Sequence, residues 1–160
     1  MPYLLSFDDG FASNRLIAET VLARHGVKAL FFVCPALVDL PAAERPSAVA
    51  QGIFGGRKQS DHPDVTRPLM DWADIRALHL AGHEIGAHSL THRRLAGLEE
   101  AALRMEVNGS CDRFGEVLGR APDWFAWPFG DIESVDGPAL EAIAQRVRFC
   151  RSGVRGLNRP

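Results

Sequence analysis

The segment "PYLLSFDDGFASNRLIAETVLARHGVKALFFVC", residues 2–34, decides the fold class, because it holds two apolar runs separated by a helical pattern. The runs at 2–7 and 27–34 lack polar alternation, which is typical of strands buried on both faces of a parallel sheet. Between them, residues 12–26 have the apolar spacing of a helix. A strand, a helix and a second strand form a β-α-β unit with a right-handed crossover, so the sequence predicts an α/β protein.

The rest of the chain continues this alternation. Helices are predicted at 71–82, 98–119 and 134–147, and strands at 83–87, 123–131 and 148–153. Residues 41–68 break the pattern with proline, glycine and charged side chains, and we expect a long surface excursion there with one short helix at its start. The whole pattern predicts one domain over residues 1–160, built on a mainly parallel sheet.

The composition excludes several classes of function. Of the 160 residues, 46% are hydrophobic and 24% are charged, which suffices for one folded core. A net charge of −2 gives no general attraction to nucleic acid, and the basic run at 146–160 is typical of a solvated face or tail. The three cysteines lack metal-site spacing, so reduced thiols are expected.

Membrane and export signals are also missing from the sequence pattern. No apolar stretch approaches the length of a membrane span. The first residues lack the basic and apolar regions of a signal peptide, so we expect a cytoplasmic protein. Export of a longer precursor is the alternative.

Polar side chains follow the predicted strands at their carboxyl ends, where α/β folds gather functional residues. Asp8 and Asp9 follow the first strand, and taken alone two aspartates before a glycine are typical of a capped turn. His88 and His92 follow the third strand, and in a helical turn this spacing places both imidazoles on one side. Two imidazoles and one carboxylate suit zinc or another divalent ion, and the second carboxylate can accept a proton from water. Together, the four residues favour a metal site over a turn.

Three motifs resemble those of the polysaccharide deacetylases with a NodB-homology domain, which form carbohydrate esterase family four. "SFDDG" at 6–10 is similar to the first motif, T/S-F-D-D-G, and "GHEIGAHSLTH" at 82–92 is similar to the second, H-S/T-x-x-H with its lead-in. "FAWPFG" at 125–130 resembles a variant of the third. The resemblance extends from about Pro2 to Asn158. It implies a distorted (β/α) barrel that hydrolyses N-acetyl groups on the amino sugars of a polysaccharide or glycan.

The resemblance also implies roles for the residues of the first two motifs. Asp8 would be the catalytic base. Asp9, His88 and His92 would be the protein ligands of a divalent metal. Zinc is the expected ion, with cobalt and nickel as alternatives.

In the third motif, the resemblance implies a wall of the substrate site formed by Pro128, Phe129 and Gly130. The backbone N–H of Phe129 would stabilise the oxyanion of the reaction. Trp127 is a candidate for stacking on a sugar ring, although a large aromatic residue near a strand end is more often part of the core.

The chain departs from the family pattern in two places. The usual third motif has an arginine that orients the catalytic aspartate, and Ala126 occupies that position here. The family's later motifs, including the one with the histidine general acid, have no counterpart before Pro160, and no histidine follows His92. We therefore expect a barrel incomplete at its C-terminal end, with an open sheet edge at which a dimer is a candidate. The alternatives are a non-catalytic metal- or glycan-binding remnant and an O-acetyl esterase.

Overall fold

One parallel sheet forms the centre of the computed structural model, which describes residues 4–56 and 67–154. Its five strands lie side by side in chain order: β1 Ser6–Phe7, β2 Leu30–Val33, β3 Glu84–Ala87, β4 Trp124–Ala126 and β5 Phe149–Arg151. Each neighbouring pair is parallel. The strands form an incomplete (β/α) barrel, which confirms the predicted fold class.

Helices fill the connections between the strands. They are α1 Ala12–Ile17, α2 Pro35–Asp39, α3 Arg45–Ala48, α4 Trp72–Leu80, α5 Glu100–Arg104, α6 Ser110–Leu118 and α7 Gly137–Ala144. Within the described residues, three π-helical turns interrupt them, at Ala18–Leu22 after α1, at Val49–Ile53 after α3, and at Met105–Gly109 between α5 and α6. Short 3₁₀ turns lie at Ala23–His25 and Ile132–Ser134.

The predicted elements are confirmed with shorter bounds. The excursion at 41–68 contains the predicted short helix, α3, and its residues 57–66 lie outside the described part of the chain. The first strand is only Ser6–Phe7, and residues 2 and 3 of the prediction also lie outside the described residues. Among the described residues, no helix has both the length and the apolar character that a membrane crossing requires.

Strand β2 shows how the sheet separates two apolar layers. Phe31 and Val33 belong to the large core between sheet and helices, while Leu30 and Phe32 face the interior of the barrel together with Ala126. All four side chains of β2 are fully buried, as expected for an apolar run without alternation. The interior layer is small, and a cleft lies at its carboxyl edge.

Helix α4 directs the chain into the strand that precedes the second motif. Asp71 caps the helix by accepting a hydrogen bond from the Asp74 N–H at 2.8 Å, and the Asp74 carboxylate accepts one from the Asp71 N–H at 3.1 Å. Gly82, at a φ of +83°, ends the segment and allows β3 to begin two residues later. The end of this helical segment therefore sets where β3 begins, and with it the position of the histidines that follow β3.

Candidate metal centre and catalytic cleft

The first two motifs meet at the carboxyl edge of the sheet. Asp9 follows β1, and its Oδ1 lies 3.4 Å from Nε2 of His88 and 3.2 Å from Nε2 of His92. One ligand atom from each residue falls within 4.8 Å of the other two. The structure thus brings together the three residues predicted as metal ligands.

Backbone carbonyls orient both imidazoles by accepting hydrogen bonds from their Nδ1 atoms. His88 Nδ1 lies 2.7 Å from the Ala126 carbonyl oxygen, and His92 Nδ1 lies 3.0 Å from the Gly52 carbonyl oxygen. Because a carbonyl only accepts, each Nδ1 donates its hydrogen there, which leaves each Nε2 as the ring atom that either donates to Asp9 or binds a metal ion. Two buried imidazole nitrogens and one carboxylate oxygen at this spacing fit a divalent ion of the zinc type.

The Asp9 carboxyl is ionised despite its environment. Burial raises its pKa, but hydrogen bonds from His88 and His92, together with the charge of their rings, outweigh burial and hold the pKa of Asp9 well below its usual range. The ligand atom is therefore available as a carboxylate oxygen.

The "HSLTH" segment is a loop, so the expected helical turn is wrong. Ser89 and His92 have φ values of 58° and 64°, in the left-handed region that a right-handed helix never uses. The Ser89 hydroxyl accepts a hydrogen bond from the His92 N–H at 3.0 Å. The two imidazoles converge through this loop geometry and not through helical periodicity.

A buried carboxylate fastens this loop from behind. Oε2 of Glu106 accepts hydrogen bonds from the N–H groups of Leu90 at 3.0 Å and Thr91 at 2.9 Å. Oε1 of Glu106 accepts a third from the Thr91 hydroxyl at 2.5 Å. Glu106 lies in the π-helical turn between α5 and α6 and is only 3% exposed. These bonds hold the loop that bears both histidines.

Backbone strain is concentrated in the three motifs. Among the described residues, four that are not glycine have a positive φ: Asp9, Ser89, His92 and Phe129. Each such position costs on the order of 1–3 kcal/mol and persists only where the surroundings enforce it. Asp9 and His92 are candidate ligands from the first two motifs, and Phe129 belongs to the third motif. Strain at such positions is typical of a functional site.

The third motif forms one side of the cleft. The Phe129 ring packs edge-on against the His92 ring, with centroids 4.9 Å apart, and 47% of the residue is exposed. Gly130 lines the cleft at a φ of +71°. Trp127 also lines it but is 9% exposed, and its indole N–H donates to the Asp131 carbonyl at 2.9 Å. Pro128 is buried and is not among the described residues that line the cleft.

The cleft has a volume of about 310 Å³ and contains both aspartates. Asp8 lies beside Asp9 and pairs with a different partner: Nη1 of Arg151 lies 3.0 Å from Oδ1 and 2.9 Å from Oδ2 of Asp8. Arg151 ends β5 and belongs to the basic run at 146–160. The interpretation of that run as a solvated face or tail is therefore wrong at Arg151.

Sequence reasoning missed three contributors to this site. Arg151 had a usable signal, because it is a polar residue at the carboxyl end of a predicted strand, as Asp8 and His88 are. Glu106 had only a weak signal, as one charged residue within a predicted helix. The Gly52 carbonyl had none, because a backbone acceptor leaves no trace in residue types.

Comparisons with known proteins agree with the motifs. A family model described as polysaccharide deacetylase matches residues 2–145. No curated protein matches the chain.

Solved structures share the fold. A polysaccharide deacetylase from Bacillus cereus superposes with a TM-score of 0.69 at 18% identity, covering 96% of this chain and 40% of its own. The chitin deacetylase of the fungal pathogen Colletotrichum lindemuthianum gives 0.63 at 18% identity, covering 94% and 54%. The Bc1960 peptidoglycan N-acetylglucosamine deacetylase gives 0.56 at 22% identity, covering 92% and 54%. The chain spans roughly half the length of these structures, and at these identities the likeness shows the fold.

Proposed function

The chain belongs to the polysaccharide deacetylase family, and from this premise we propose that it is a metal-dependent hydrolase that removes N-acetyl groups from the amino sugars of a polysaccharide. One observation carries the proposal: Asp8 lies in the same cleft as a second aspartate that faces the Nε2 atoms of two histidines. Two of the structures with this fold are described as deacetylases of chitin and of peptidoglycan, whose sugars are N-acetylated.

The metal would be held by Asp9, His88 and His92. Zinc is the ion we propose, with cobalt and nickel as alternatives, because one carboxylate and two imidazoles leave positions open for other ligands. A divalent metal bound there supplies Lewis acidity, which polarises the acetyl carbonyl and acidifies water. The chain's own residues do the rest.

Asp8 would act as the base. As water attacks the acetyl carbonyl carbon, the Asp8 carboxylate takes the proton from that water. The backbone N–H of Phe129 would donate a hydrogen bond to the oxyanion that forms, a type of contact whose loss typically costs about 2.7–4 kcal/mol of barrier. The carbon–nitrogen bond then breaks, and the leaving amine takes the proton back from Asp8. The products are acetate and a free amino sugar.

Aromatic and apolar residues that line the cleft support a sugar substrate. Phe129 exposes nearly half of its surface, and Ile53 and Phe54 line the same cleft. Flat rings that are partly exposed beside a polar centre suit the apolar faces of pyranose rings.

The Asp8→Asn variant tests the proposal. Acetate release from N-acetylglucosamine oligosaccharides should fall by roughly 10²- to 10⁴-fold, because the amide cannot accept the proton. One-to-one zinc binding, measured by calorimetry on metal-stripped protein, should be retained in Asp8→Asn and lost in Asp9→Ala. Asp112→Asn is the matched control, because Asp112 pairs with an arginine, Arg146, away from the cleft and should leave both readings unchanged.

Other outcomes identify the alternatives. Turnover near wild type in Asp8→Asn with zinc bound would remove Asp8 as base. Tight zinc binding by a wild type that releases no acetate from any acetylated sugar would favour a non-catalytic binding protein. Acetate release from O-acetyl sugars alone would favour an esterase. A folded wild type that binds zinc no better than Asp9→Ala would refute the metal site.

A further inference from the structure

The Asp8–Arg151 pair joins the two ends of the described chain, 143 residues apart. A single guanidinium nitrogen lies within 3.0 Å of both carboxylate oxygens of Asp8. Both side chains are partly exposed, at 35% for Arg151 and 38% for Asp8. A pair of this exposure typically contributes only about 0–1 kcal/mol to stability. The contact therefore does little for the free energy of folding, but it fixes the direction in which the Asp8 carboxylate points.

The position of Arg151 follows from strand register. Its Cα pairs with that of Ala126 across β4 and β5. Register partners on neighbouring parallel strands present their side chains to the same face, about 4.8 Å apart. Both residues line the cleft. Position 126 is the one at which the resembled third motif has its arginine, so the Arg151 guanidinium starts from the register partner of that position on the adjacent strand.

Two contacts hold the end of β5 in place. The Arg151 guanidinium lies over the Phe32 ring, 5.9 Å from its centroid, on the interior face of the sheet. Immediately after the strand, the Gly153 N–H donates to the Gly130 carbonyl at 2.9 Å. A Cβ on Gly130 would lie 2.9 Å from the Gly153 nitrogen, so the two backbones meet at van der Waals distance. The end of β5 is thereby fixed to the third motif.

We infer that Arg151 is the positioning residue for Asp8, filling from β5 the role of the arginine that the third motif lacks. This inference rests on the proposed function, in which Asp8 is the base. Arg151 acts through Asp8 and not through the metal ligands. Its loss should slow the chemical step while leaving zinc binding and substrate binding in place.

The test compares Arg151→Ala, Arg151→Lys and the relocation variant Arg151→Ala/Ala126→Arg. Arg151→Ala should lower kcat for acetate release from N-acetylglucosamine oligosaccharides by about 10- to 100-fold, the usual cost of losing a residue that orients a catalytic group. KM, the zinc Kd and the thermal midpoint should stay within about twofold or a few degrees of wild type. Arg151→Lys should recover part of kcat, since lysine keeps the charge and loses the planar group. The relocation variant should recover most of it.

Arg148→Ala is the matched control, because Arg148 lies beside β5 with its guanidinium over Phe149 and should leave kcat unchanged. Wild-type kcat in Arg151→Ala would overturn the inference. So would a loss of kcat matched by an equal loss of zinc affinity or a collapse of the thermal midpoint, which indicates a structural role. A folded relocation variant as slow as Arg151→Ala would also overturn it, because positions 126 and 151 would then not serve the same carboxylate.

A second measurement separates this inference from the proposed function. If the wild type releases no acetate, the proposed function fails, and the pair is judged by nitrogen-detected NMR of the Arg151 guanidinium. Slow rotation of that group in the wild type, lost in Asp8→Ala, would still support the pair. Equal rotation rates in the two proteins would refute it.

Discussion

Replacing Glu106 by alanine is expected to loosen the loop that bears both candidate histidine ligands. The Glu106 carboxylate accepts three hydrogen bonds from that loop, at 3.0, 2.9 and 2.5 Å, and is 3% exposed. Hydrogen bonds to a charged group contribute about 1.5–3 kcal/mol each, and the relief of burying the charge offsets part of their sum. We expect a net loss of about 2–4 kcal/mol in the free energy of unfolding.

Two measurements check this expectation. For a domain of this size, each kcal/mol lowers the thermal midpoint by about 2–4 °C, so the metal-free variant should melt about 5–15 °C below the wild type. Zinc affinity should fall by about 10- to 100-fold, because the variant must order the loop on binding. Glu106→Gln keeps one oxygen acceptor, so its thermal midpoint and zinc affinity should lie between those of the wild type and Glu106→Ala.

Glu100→Ala is the control for this series. Glu100 lies in the same helical segment, is exposed, and pairs with Arg104 one turn later. Removing such a pair typically costs about 0.3–0.5 kcal/mol. If Glu106→Ala melts and binds zinc as Glu100→Ala does, the three hydrogen bonds do not hold the loop, and the reasoning is refuted.

Three other substitutions probe the packing of the sheet and of the cleft. His83 is 5% exposed and accepts a hydrogen bond from the Ala29 N–H, and burial, followed by the charge of Lys28, lowers its pKa below 6.5. Because the unfolded state then binds the proton more tightly than the folded state, the thermal stability of the wild type relative to His83→Gln should fall as pH drops from 7 to 5. A stability difference that does not change with pH would contradict this. Gly86→Ala would place a Cβ 2.6 Å from the Phe32 ring and should cost about 1–3 kcal/mol in urea unfolding. Gly130→Ala should lower kcat and the thermal midpoint together, because φ is +71° and the new Cβ would clash with the Gly153 backbone. If both quantities stay at their wild-type values, the Gly153 backbone moves to accept the Cβ and the prediction is wrong.

The order of elements was predictable because the signals are local. Apolar runs without alternation predict buried parallel strands, and β2 is fully buried along its length. Asp71 and Gly82 are capping and stop residues at the two ends of α4, and both act as their types suggest. The π-helical turns were not predictable, because an extra residue in a helical turn is imposed by tertiary packing and changes no periodicity over five residues.

The candidate site was predictable as a set of residues but not as a geometry. Asp9, His88 and His92 converge as expected, yet the histidines do so through a loop with left-handed residues. That conformation depends on Glu106, which is at least 14 residues away in sequence. Contacts over such separations leave no local pattern, so the contact of Glu106 with the loop and that of Arg151 with Asp8 were not predictable, although the position of Arg151 at a strand end was a usable signal.

The register pairing of Ala126 with Arg151 also bears on how such a site can change over evolutionary time. A side chain at either of two register partners on neighbouring parallel strands faces the same space. If Arg151 positions Asp8 as inferred above, an arginine gained on one strand before the other is lost would keep a guanidinium beside Asp8 at every step. A sequence motif defined along one strand would show such a change as the loss of an arginine. In the sheet, the guanidinium would have moved to the neighbouring strand at the same register. Members of the family that lack the third-motif arginine are therefore best compared across the sheet, at the column aligned with position 151.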